Sequence, residues 1–251
     1  MKLFDLTGRV AIVTGGNGGI GLGMATGILN AGASVVIAGR NKEKSAKAAA
    51  SLGDRARAIE VDVANEKSVA ALVDQTVSAF GRVDILVNNA GIAIRKQPET
   101  YSLDEWRQVI DTNLTSAFLC SQAVYPHMVK AGGGKIINIG SILSIFGIPV
   151  AVPYGASKGG IVQMARSFAA AWEKDNIQVN TILPGWIDTD LTETARTQIE
   201  GLNDRVLART PAKRWGKPED FAGIAVFLAS TASDFVTGTA IPIDGGYSIS
   251  G

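Results

Sequence analysis

The sequence predicts an α/β fold in which a doubly wound parallel sheet of about seven strands carries helices on both faces. Short apolar runs rich in β-branched residues alternate along the chain with longer segments of helical periodicity. The apolar runs are nearly continuous, which is typical of parallel strands that are buried on both faces. Because parallel strands are joined by crossover connections, this alternation places helices on each side of the sheet.

The predicted elements follow one another in strict strand–helix order. Strands are predicted at residues 10–14, 34–38, 56–61, 85–87, 135–139, 179–183 and 240–243. Helices are predicted at residues 20–31, 42–52, 66–80, 103–130, 154–174 and 218–229. Each helix therefore lies between two strands, as a crossover connection requires.

The chain has 251 residues, which is long enough to bury one substantial core, and no linker or repeat divides it. We therefore expect a single domain over residues 1–251. The least regular stretch, residues 185–211, is polar and lies between the sixth strand and the last helix. Long polar connections in such folds often cover a bound ligand, so we expect residues 185–211 to form a substrate lid.

Composition narrows the class of partner. The formal net charge of +1 supplies no basic field for nucleic acid or an anionic membrane surface. One cysteine and one histidine argue against a disulfide framework and against a metal site. Asp5 and Arg9 interrupt the N-terminal segment, which argues against a secretory signal. These features predict a cytoplasmic protein that binds a small molecule and no metal.

A glycine-rich segment follows the first predicted strand and leads directly into the first predicted helix. Glycines at positions 16, 18 and 21 match the G-x-G-x-x-G pattern of dinucleotide-binding turns. In such a turn, backbone N–H groups and the positive end of the helix dipole bind the pyrophosphate. The residues expected to contact the cofactor here are Gly15, Asn17, Gly18, Gly19, Ile20 and Gly21.

The ends of the second and third strands bear on which nucleotide is bound. An acidic residue after the second strand would bind the ribose hydroxyls of NAD, but Arg40 lies there instead. The Arg40 guanidinium either binds the 2′-phosphate of NADP or remains solvated. This favours NADP and leaves NAD open. Asp62, after the third strand, either accepts a hydrogen bond from adenine or caps the next helix.

Tyr154 and Lys158 place a phenol and an ammonium group on one face of a predicted helix. A phenol has a pKa of about 10 and is a poor base at neutral pH. A nearby cation stabilises the phenolate, so we expect Lys158 to lower the pKa of Tyr154. By itself such a pair is also common on half-exposed helix faces, where its role is structural.

Together with five other motifs, this pair resembles the short-chain dehydrogenase/reductase family over essentially the whole chain. The motifs are residues 14–21, Asn88-Asn89-Ala90-Gly91, Asn113, Ser141, Tyr154 with Lys158, and Pro184-Gly185. The resemblance implies a Rossmann-type domain and an NAD(P)-dependent oxidoreductase. Such an enzyme moves a hydride between a nicotinamide and a secondary alcohol or ketone. The resemblance also implies a homotetramer.

The same resemblance assigns roles to individual residues. It implies that Tyr154 is the acid/base and that Ser141 hydrogen-bonds the reacting oxygen. It implies that Lys158 also holds the nicotinamide ribose and that Asn113 positions a water for a proton relay. The other residues that it places along the cofactor are Asp62, Val63, Asn89, Gly91, Pro184, Gly185, Ile187 and Thr189.

One departure from the family pattern concerns cofactor choice. Many NADP-preferring members carry a basic residue at the position where this chain has Gly18. Arg40 would therefore act without that second cation, which keeps NAD use open.

The substrate is less well defined by the sequence. The apolar segment 142–152 offers Leu143, Phe146 and Ile148 as walls for a ketone of some bulk. Arg95 and Lys96 follow the Asn-Asn-Ala-Gly turn and either bind a substrate carboxylate or form a solvated basic loop.

Within the family, the chain is most similar to sugar and sugar-acid dehydrogenases such as 2-deoxy-D-gluconate 3-dehydrogenase. Segments 94–96, 171–173 and 214–216 carry that similarity. The first alternative is a 3-oxoacyl-[acyl-carrier-protein] reductase, which would need a basic surface near the cleft for an acidic carrier. The second is a dinucleotide-binding sensor without catalysis, against which the intact set of Asn113, Ser141, Tyr154 and Lys158 argues.

Overall fold

Seven parallel strands form one sheet in the computed structural model, which describes residues 2–250. Met1 and Gly251, the two ends of the predicted domain, lie outside the described residues. The strands are β1 (Val10–Thr14), β2 (Ser34–Gly39), β3 (Ala56–Glu60), β4 (Ile85–Asn88), β5 (Gly134–Ile139), β6 (Ile177–Pro184) and β7 (Ala240–Ile243).

The strands lie in the order β3-β2-β1-β4-β5-β6-β7, and all neighbours are parallel. The chain adds strands on one side of β1 as far as β3 and then returns to add β4 on the other side. This reversal creates a crevice at the carboxyl ends of β1 and β4, where open α/β sheets bind ligands. The predicted doubly wound parallel sheet is confirmed.

Helices cover both faces of the sheet, as predicted. Within residues 2–250 they are α1 (Gly19–Asn30), α2 (Lys42–Leu52), α3 (Glu66–Phe80), α4 (Leu103–Ile110), α5 (Ser116–Lys130), α6 (Val152–Trp172), α7 (Asp190–Gln198), α8 (Leu202–Arg209) and α9 (Ala222–Ala229). Helices α1, α2 and α9 contribute to the core on one face, and α3, α5 and α6 contribute to the core on the other. None of the helices described between residues 2 and 250 is long and apolar enough to cross a membrane.

The predicted helix 103–130 is interrupted by one π-helical turn, Asp111–Thr115, between α4 and α5. In this turn the Ser116 N–H donates to the Asp111 carbonyl, five residues earlier. Such a turn inserts one extra residue into an otherwise continuous helical segment. Residues 103–130 read as one helix in the sequence, so the turn was not predicted. The predicted helix 218–229 likewise begins with a 3₁₀ turn, Pro218–Phe221, before α9.

Residues 185–211, the least regular stretch of the sequence, contain two helices that were not predicted, α7 and α8. These short helices pack their few apolar residues into a small separate cluster. The buried members of that cluster are Ala195, Leu202, Val206 and Trp215. The segment is polar overall because only this narrow face is buried, which hides the helical periodicity.

Candidate active site

The phosphate turn lies between the end of β1 and the start of α1 and leaves no space for side chains at its closest contacts. A Cβ atom on Gly21 would lie 2.4 Å from Asn89 Nδ2 and 2.5 Å from the Gly15 carbonyl oxygen. Gly15 itself has a φ of 62°, in the left-handed region that favours glycine. Asn89 Nδ2 donates to the Thr14 carbonyl at 3.0 Å and to the Gly15 carbonyl at 3.1 Å. The predicted residues therefore meet in one tight turn.

A cavity of about 250 Å³ lies beside this turn, and we call it the nucleotide cavity. Of the predicted cofactor residues, it is lined by Gly15, Asn17, Arg40, Val63 and Gly91. Lys44, Asn41 and Val61 also line it, and sequence reasoning missed them. Lys44 lies in the first turn of α2, shortly after Arg40, and this closeness in the sequence is the signal that could have indicated it.

Asp62 is exposed and does not cap α3, so one of its two predicted roles is wrong. The cap is Asn65, whose Oδ1 accepts a hydrogen bond from the Ser68 N–H at 3.0 Å. Asp62 instead accepts a hydrogen bond from the Ala64 N–H at 3.1 Å, which stabilises the turn before the helix. Val61 and Val63, on either side of Asp62, point their apolar surface at the nucleotide cavity.

A second cavity, of about 110 Å³, lies at the carboxyl ends of β4, β5 and β6, and we call it the catalytic cavity. Predicted residues that line it are Ile20, Asn89, Gly91, Ser141, Tyr154, Lys158, Pro184, Gly185, Ile187 and Thr189. Leu191 and Thr192 of α7 also line it; they belong to the predicted lid segment 185–211 but were not predicted individually. Because Gly91 belongs to both cavities, the two form consecutive parts of one groove.

Gly18 and Gly19 line neither the nucleotide cavity nor the catalytic cavity, but they lie next to residues that do. A Cβ atom on Gly19 would lie 3.1 Å from Thr189 Cγ2, so the phosphate turn contacts the start of the lid segment. Thr189 is the residue that precedes α7 and accepts the hydrogen bonds of its first turn. The groove is therefore bounded on this side by the polar segment after β6.

Tyr154 lies near the start of α6 and is hydrogen-bonded to Ser141. Burial raises the pKa of the Tyr154 phenol, while the Ser141 hydrogen bond and the positive charge of Arg95 act in the opposite direction. The Ser141 hydroxyl is itself positioned, because it accepts a hydrogen bond from the Leu143 N–H at 3.1 Å. We expected Lys158 to lower the pKa of Tyr154, and the structure does not meet that expectation. The pKa is raised overall, and the groups that act to lower it are Ser141 and Arg95.

Lys158 is buried one turn further along α6. Its Nζ atom donates to the Ile139 carbonyl at 2.6 Å and lies 5.6 Å from the centre of the Tyr154 ring. Removal from water disfavours the charged ammonium and lowers the pKa of Lys158 to about 8. The side chain therefore supplies a cation that can lose its proton only slightly above neutral pH.

Asn113 is buried in the π-helical turn and links two parts of the site. Its Oδ1 accepts from the Ile92 N–H at 2.8 Å, and its Nδ2 donates to the Ile92 carbonyl at 3.0 Å. Nδ2 also donates to Ser157 Oγ at 3.1 Å, and that hydroxyl donates to the Tyr154 carbonyl at 2.7 Å. Asn113 thus fixes the loop after β4 against the first turns of α6. Its expected role in positioning a water stays a prediction.

A third cavity, of about 60 Å³, opens beside Ser141 and Tyr154, and we call it the substrate cavity. Its walls include Ile142, Leu143, Ile148 and Trp186. Leu143 and Ile148 were predicted as walls, but the third predicted wall, Phe146, does not line it. The Phe146 ring instead lies 5.2 Å from the guanidinium of Arg209.

Arg95 also lines the substrate cavity, whereas the adjacent Lys96 does not. Burial lowers the pKa of the Arg95 guanidinium, and the charges that favour its cationic form come from Tyr154 and Tyr101. Among the described residues, no carboxylate forms an ion pair with Arg95. Lys96 is exposed and its Nζ pairs with a carboxylate oxygen of Glu105. The solvated-loop interpretation therefore applies to Lys96 alone.

A dinucleotide-binding crevice with a serine, a tyrosine and a lysine at the same sheet edge defines the class of NAD(P)-dependent oxidoreductases. A family model described as enoyl-(acyl carrier protein) reductase matches residues 15–248. The chain belongs to the short-chain dehydrogenase/reductase family.

Its relatives agree with that assignment over their whole lengths. A 2-dehydro-3-deoxy-D-gluconate 5-dehydrogenase of Dickeya dadantii is 44% identical over 98% of this chain and 98% of its own. A gluconate 5-dehydrogenase of Gluconobacter oxydans is 39% identical over 99% of this chain and 98% of its own. The crystal structure of a gluconate 5-dehydrogenase from Burkholderia cenocepacia, in complex with NADP and tartrate, superposes with a TM-score of 0.94. It is 40% identical and covers 100% of this chain and 99% of its own.

Proposed function

We propose that this enzyme interconverts a secondary hydroxyl group and a ketone on a sugar acid, with NADP preferred over NAD. The observation that carries the proposal is the position of Arg95. Its guanidinium is the cation of an otherwise largely apolar cavity that also contains Ser141 and Tyr154. A half-buried guanidinium is costly unless a carboxylate or phosphate pairs with it.

The relatives support the same class of substrate. The Dickeya and Gluconobacter proteins are named for oxidation of gluconate or a deoxygluconate derivative. The Burkholderia structure contains tartrate, which is a hydroxy acid with two carboxylates. A substrate carboxylate on Arg95 would hold the molecule at one end and present a carbon further along the chain to Tyr154.

The groove fits a dinucleotide along its whole course. The glycine-only turn at Gly15 and Gly21 allows close approach of a pyrophosphate, and Lys158 lies deeper in the groove, beside Tyr154. Arg40 lines the nucleotide cavity, and the described residues that line it with Arg40 include no acidic side chain that would repel a 2′-phosphate. When bound, the nicotinamide supplies or accepts the hydride.

In the reduction direction, Tyr154 donates a proton from its hydroxyl to the substrate carbonyl oxygen. Its raised pKa keeps the phenol protonated at neutral pH, as an acid requires. Ser141 donates a second hydrogen bond to the same oxygen and so stabilises the negative charge that develops there. In the oxidation direction, the deprotonated Tyr154 accepts the alcohol proton, and the Ser141 hydrogen bond and the Arg95 charge favour that form.

Asn113 and Lys158 support these two groups. Asn113 holds α6 against the loop after β4 through Ile92 and Ser157, which fixes the position of Tyr154. In our proposal Asn113 also positions the relay water, and Lys158 also binds the nicotinamide ribose.

We further propose a single domain in which residues 185–211 act as the lid. Trp186, Leu191 and Thr192 all line the substrate cavity, so a movement of α7 would open or close it. The lid cluster is packed separately from the two main cores, which permits such a movement.

The proposed assembly is a homotetramer in the cytoplasm. Helices α4 and α5 expose large apolar side chains, among them Leu103, Trp106 and Phe118. Phe118 stacks on Phe168 of α6 with ring centres 6.1 Å apart, which extends the apolar face across both helices. Burial of this face against a second copy would remove it from water.

The test of the substrate class compares two neighbouring substitutions. Arg95→Gln removes the cation of the substrate cavity, while Lys96→Gln removes the same charge from a side chain that points away. A charge-assisted, bidentate contact contributes about 1.5–3 kcal/mol, so kcat/KM for D-gluconate should fall roughly 10- to 150-fold in Arg95→Gln. Lys96→Gln should stay within about twofold, as expected for an exposed pair.

The same variants are assayed with a neutral polyol and with an acetoacetyl thioester. Arg95→Gln should reduce the activity on the polyol much less than the activity on the acid, because the polyol has no carboxylate and is affected only through the Arg95 charge near Tyr154. Equal losses on acid and polyol would contradict the proposed role of Arg95. Activity on the thioester alone would instead identify an acyl-carrier-protein reductase.

A further inference from the structure

Lys44 lies where the phosphate turn, α2 and the lid meet. Its Nζ atom is 3.1 Å from Asp190 Oδ2, although the two residues are 146 positions apart in the sequence. A Cβ atom on Gly18 would lie 3.2 Å from the same Nζ atom. The ammonium group of Lys44 therefore stands beside the space that a side chain at position 18 would enter.

The lining of the nucleotide cavity carries positive charge. Lys44 and Arg40 both line the nucleotide cavity, and the described residues that line it include no carboxylate. The backbone of Lys44 is fixed, because Asn41 Oδ1 accepts a hydrogen bond from its N–H at 2.9 Å. Two cations on one short segment that lines the cavity suit a phosphate monoester dianion.

Lys44 forms an ion pair with Asp190, which is the first residue of α7 in the lid segment. Both side chains are solvated, with 48% of the Lys44 side chain and 90% of the Asp190 side chain exposed. Ion pairs as exposed as this one are weak. A phosphate with about two negative charges and three acceptor oxygens competes well against a single solvated carboxylate.

We infer that Lys44 is the second cation of the 2′-phosphate site and that Asp190 competes with the cofactor for it. Lys44 takes the place of the basic side chain that Gly18 lacks. When NADP binds, the 2′-phosphate replaces the Asp190 carboxylate on Lys44, and α7 loses a contact that ties it to α2. Binding of the adenosine end is thereby coupled to the lid over the substrate cavity.

This inference rests on the proposed use of NADP, and equilibrium binding tests both without turnover. NADPH and NADH are titrated separately into wild type, Lys44→Gln and Lys47→Gln, with nicotinamide fluorescence as the signal. Lys47→Gln is the matched control, because it removes the same charge from the same helix outside the cavity lining. Lys44→Gln should weaken NADPH binding roughly 10- to 100-fold and change NADH binding less than about twofold.

Asp190→Asn tests the competition. It should strengthen NADPH binding about two- to fivefold when Lys44 is present, as expected for release from an exposed ion pair. In a Lys44→Gln background it should have no effect, because the competed cation is absent. NADH binding should not respond to Asp190→Asn in either background.

The outcomes separate the two proposals. If wild type binds NADPH and NADH equally well, the NADP preference is wrong and the role of Lys44 falls with it. If wild type prefers NADPH and Lys44→Gln retains that preference, the role of Lys44 alone is wrong. If Asp190→Asn has the same effect with and without Lys44, Asp190 does not compete for this cation.

Discussion

Substitution of Gly21 by alanine tests whether the phosphate turn needs glycine for space. The added methyl group would lie 2.4 Å from Asn89 Nδ2 and 2.5 Å from the Gly15 carbonyl oxygen, whereas ordinary contacts need more than 3.4 Å. Either contact therefore requires a shift of nearly 1 Å. Because the Gly15 oxygen belongs to the backbone, rotation of the Asn89 side chain alone cannot relieve the clash.

The cost follows from the contacts that the shift breaks. Asn89 Nδ2 makes hydrogen bonds to the Thr14 and Gly15 carbonyls, and each contributes about 1 kcal/mol. Displacement of packed backbone adds roughly 1–3 kcal/mol. Gly21→Ala should therefore lower the free energy of unfolding by about 3–5 kcal/mol and weaken NADPH binding at least tenfold.

Urea denaturation measures the first effect, and an NADPH titration of the folded variant measures the second. Gly223→Ala in α9 is the control, since a Cβ atom there meets nothing within 4 Å. That substitution should stabilise the protein by about 0.5–1 kcal/mol through helix propensity. If Gly21→Ala unfolds within about 1 kcal/mol of wild type and binds NADPH normally, the argument from space at this turn is refuted.

Three further predictions concern titratable side chains. Tyr154→Phe should lower kcat by about 10²- to 10⁴-fold while NADPH binding stays within about twofold, and a near-normal rate would exclude Tyr154 as the acid/base. The pKa of Lys158 is lowered from 10.5 to about 8, so the unfolded chain binds more protons between these values and stability rises with pH there. The free energy of unfolding, measured by urea denaturation, should be up to about 3 kcal/mol higher near pH 10 than near pH 7, and Lys158→Met should lack this rise. The same dependence on pH in wild type and in Lys158→Met would contradict the lowered pKa. Burial raises the pKa of Cys120 to about 12, so iodoacetamide should label the thiol only at the rate of unfolding, and rapid labelling of the native protein would oppose this.

The sequence was sufficient for the sheet and for the meeting of Ser141, Tyr154 and Lys158 in one cavity. The apolar pattern of a strand can be read from a short stretch of sequence, because a parallel strand that is buried on both faces is apolar along its whole length. Tyr154 and Lys158 are four residues apart, and a helix alone brings them to one face. Ser141 lies two residues after the end of β5, so its position at the carboxyl edge follows from the direction of the strand.

The π-helical turn and the lid helices were not predictable in the same way. The π-helical turn lies inside a segment that reads as one helix in the sequence, and it contains the buried Asn113. In the lid, two short helices bury a narrow face, and the remaining positions are polar. Tertiary contacts stabilise such elements more than local propensity does.

By itself, the sequence determined the fold class, the cofactor turn and the reaction type, because each depends on residues close together in the chain. Only the tertiary structure placed Arg95 in the substrate cavity. Its loop is held by the Tyr101 hydroxyl, which bonds to the Ile94 carbonyl at 2.7 Å and the Val150 carbonyl at 3.0 Å. Only the tertiary structure brought Lys44 to Asp190. Both contacts join segments distant in sequence, and packing rather than local preference decides which distant segments meet.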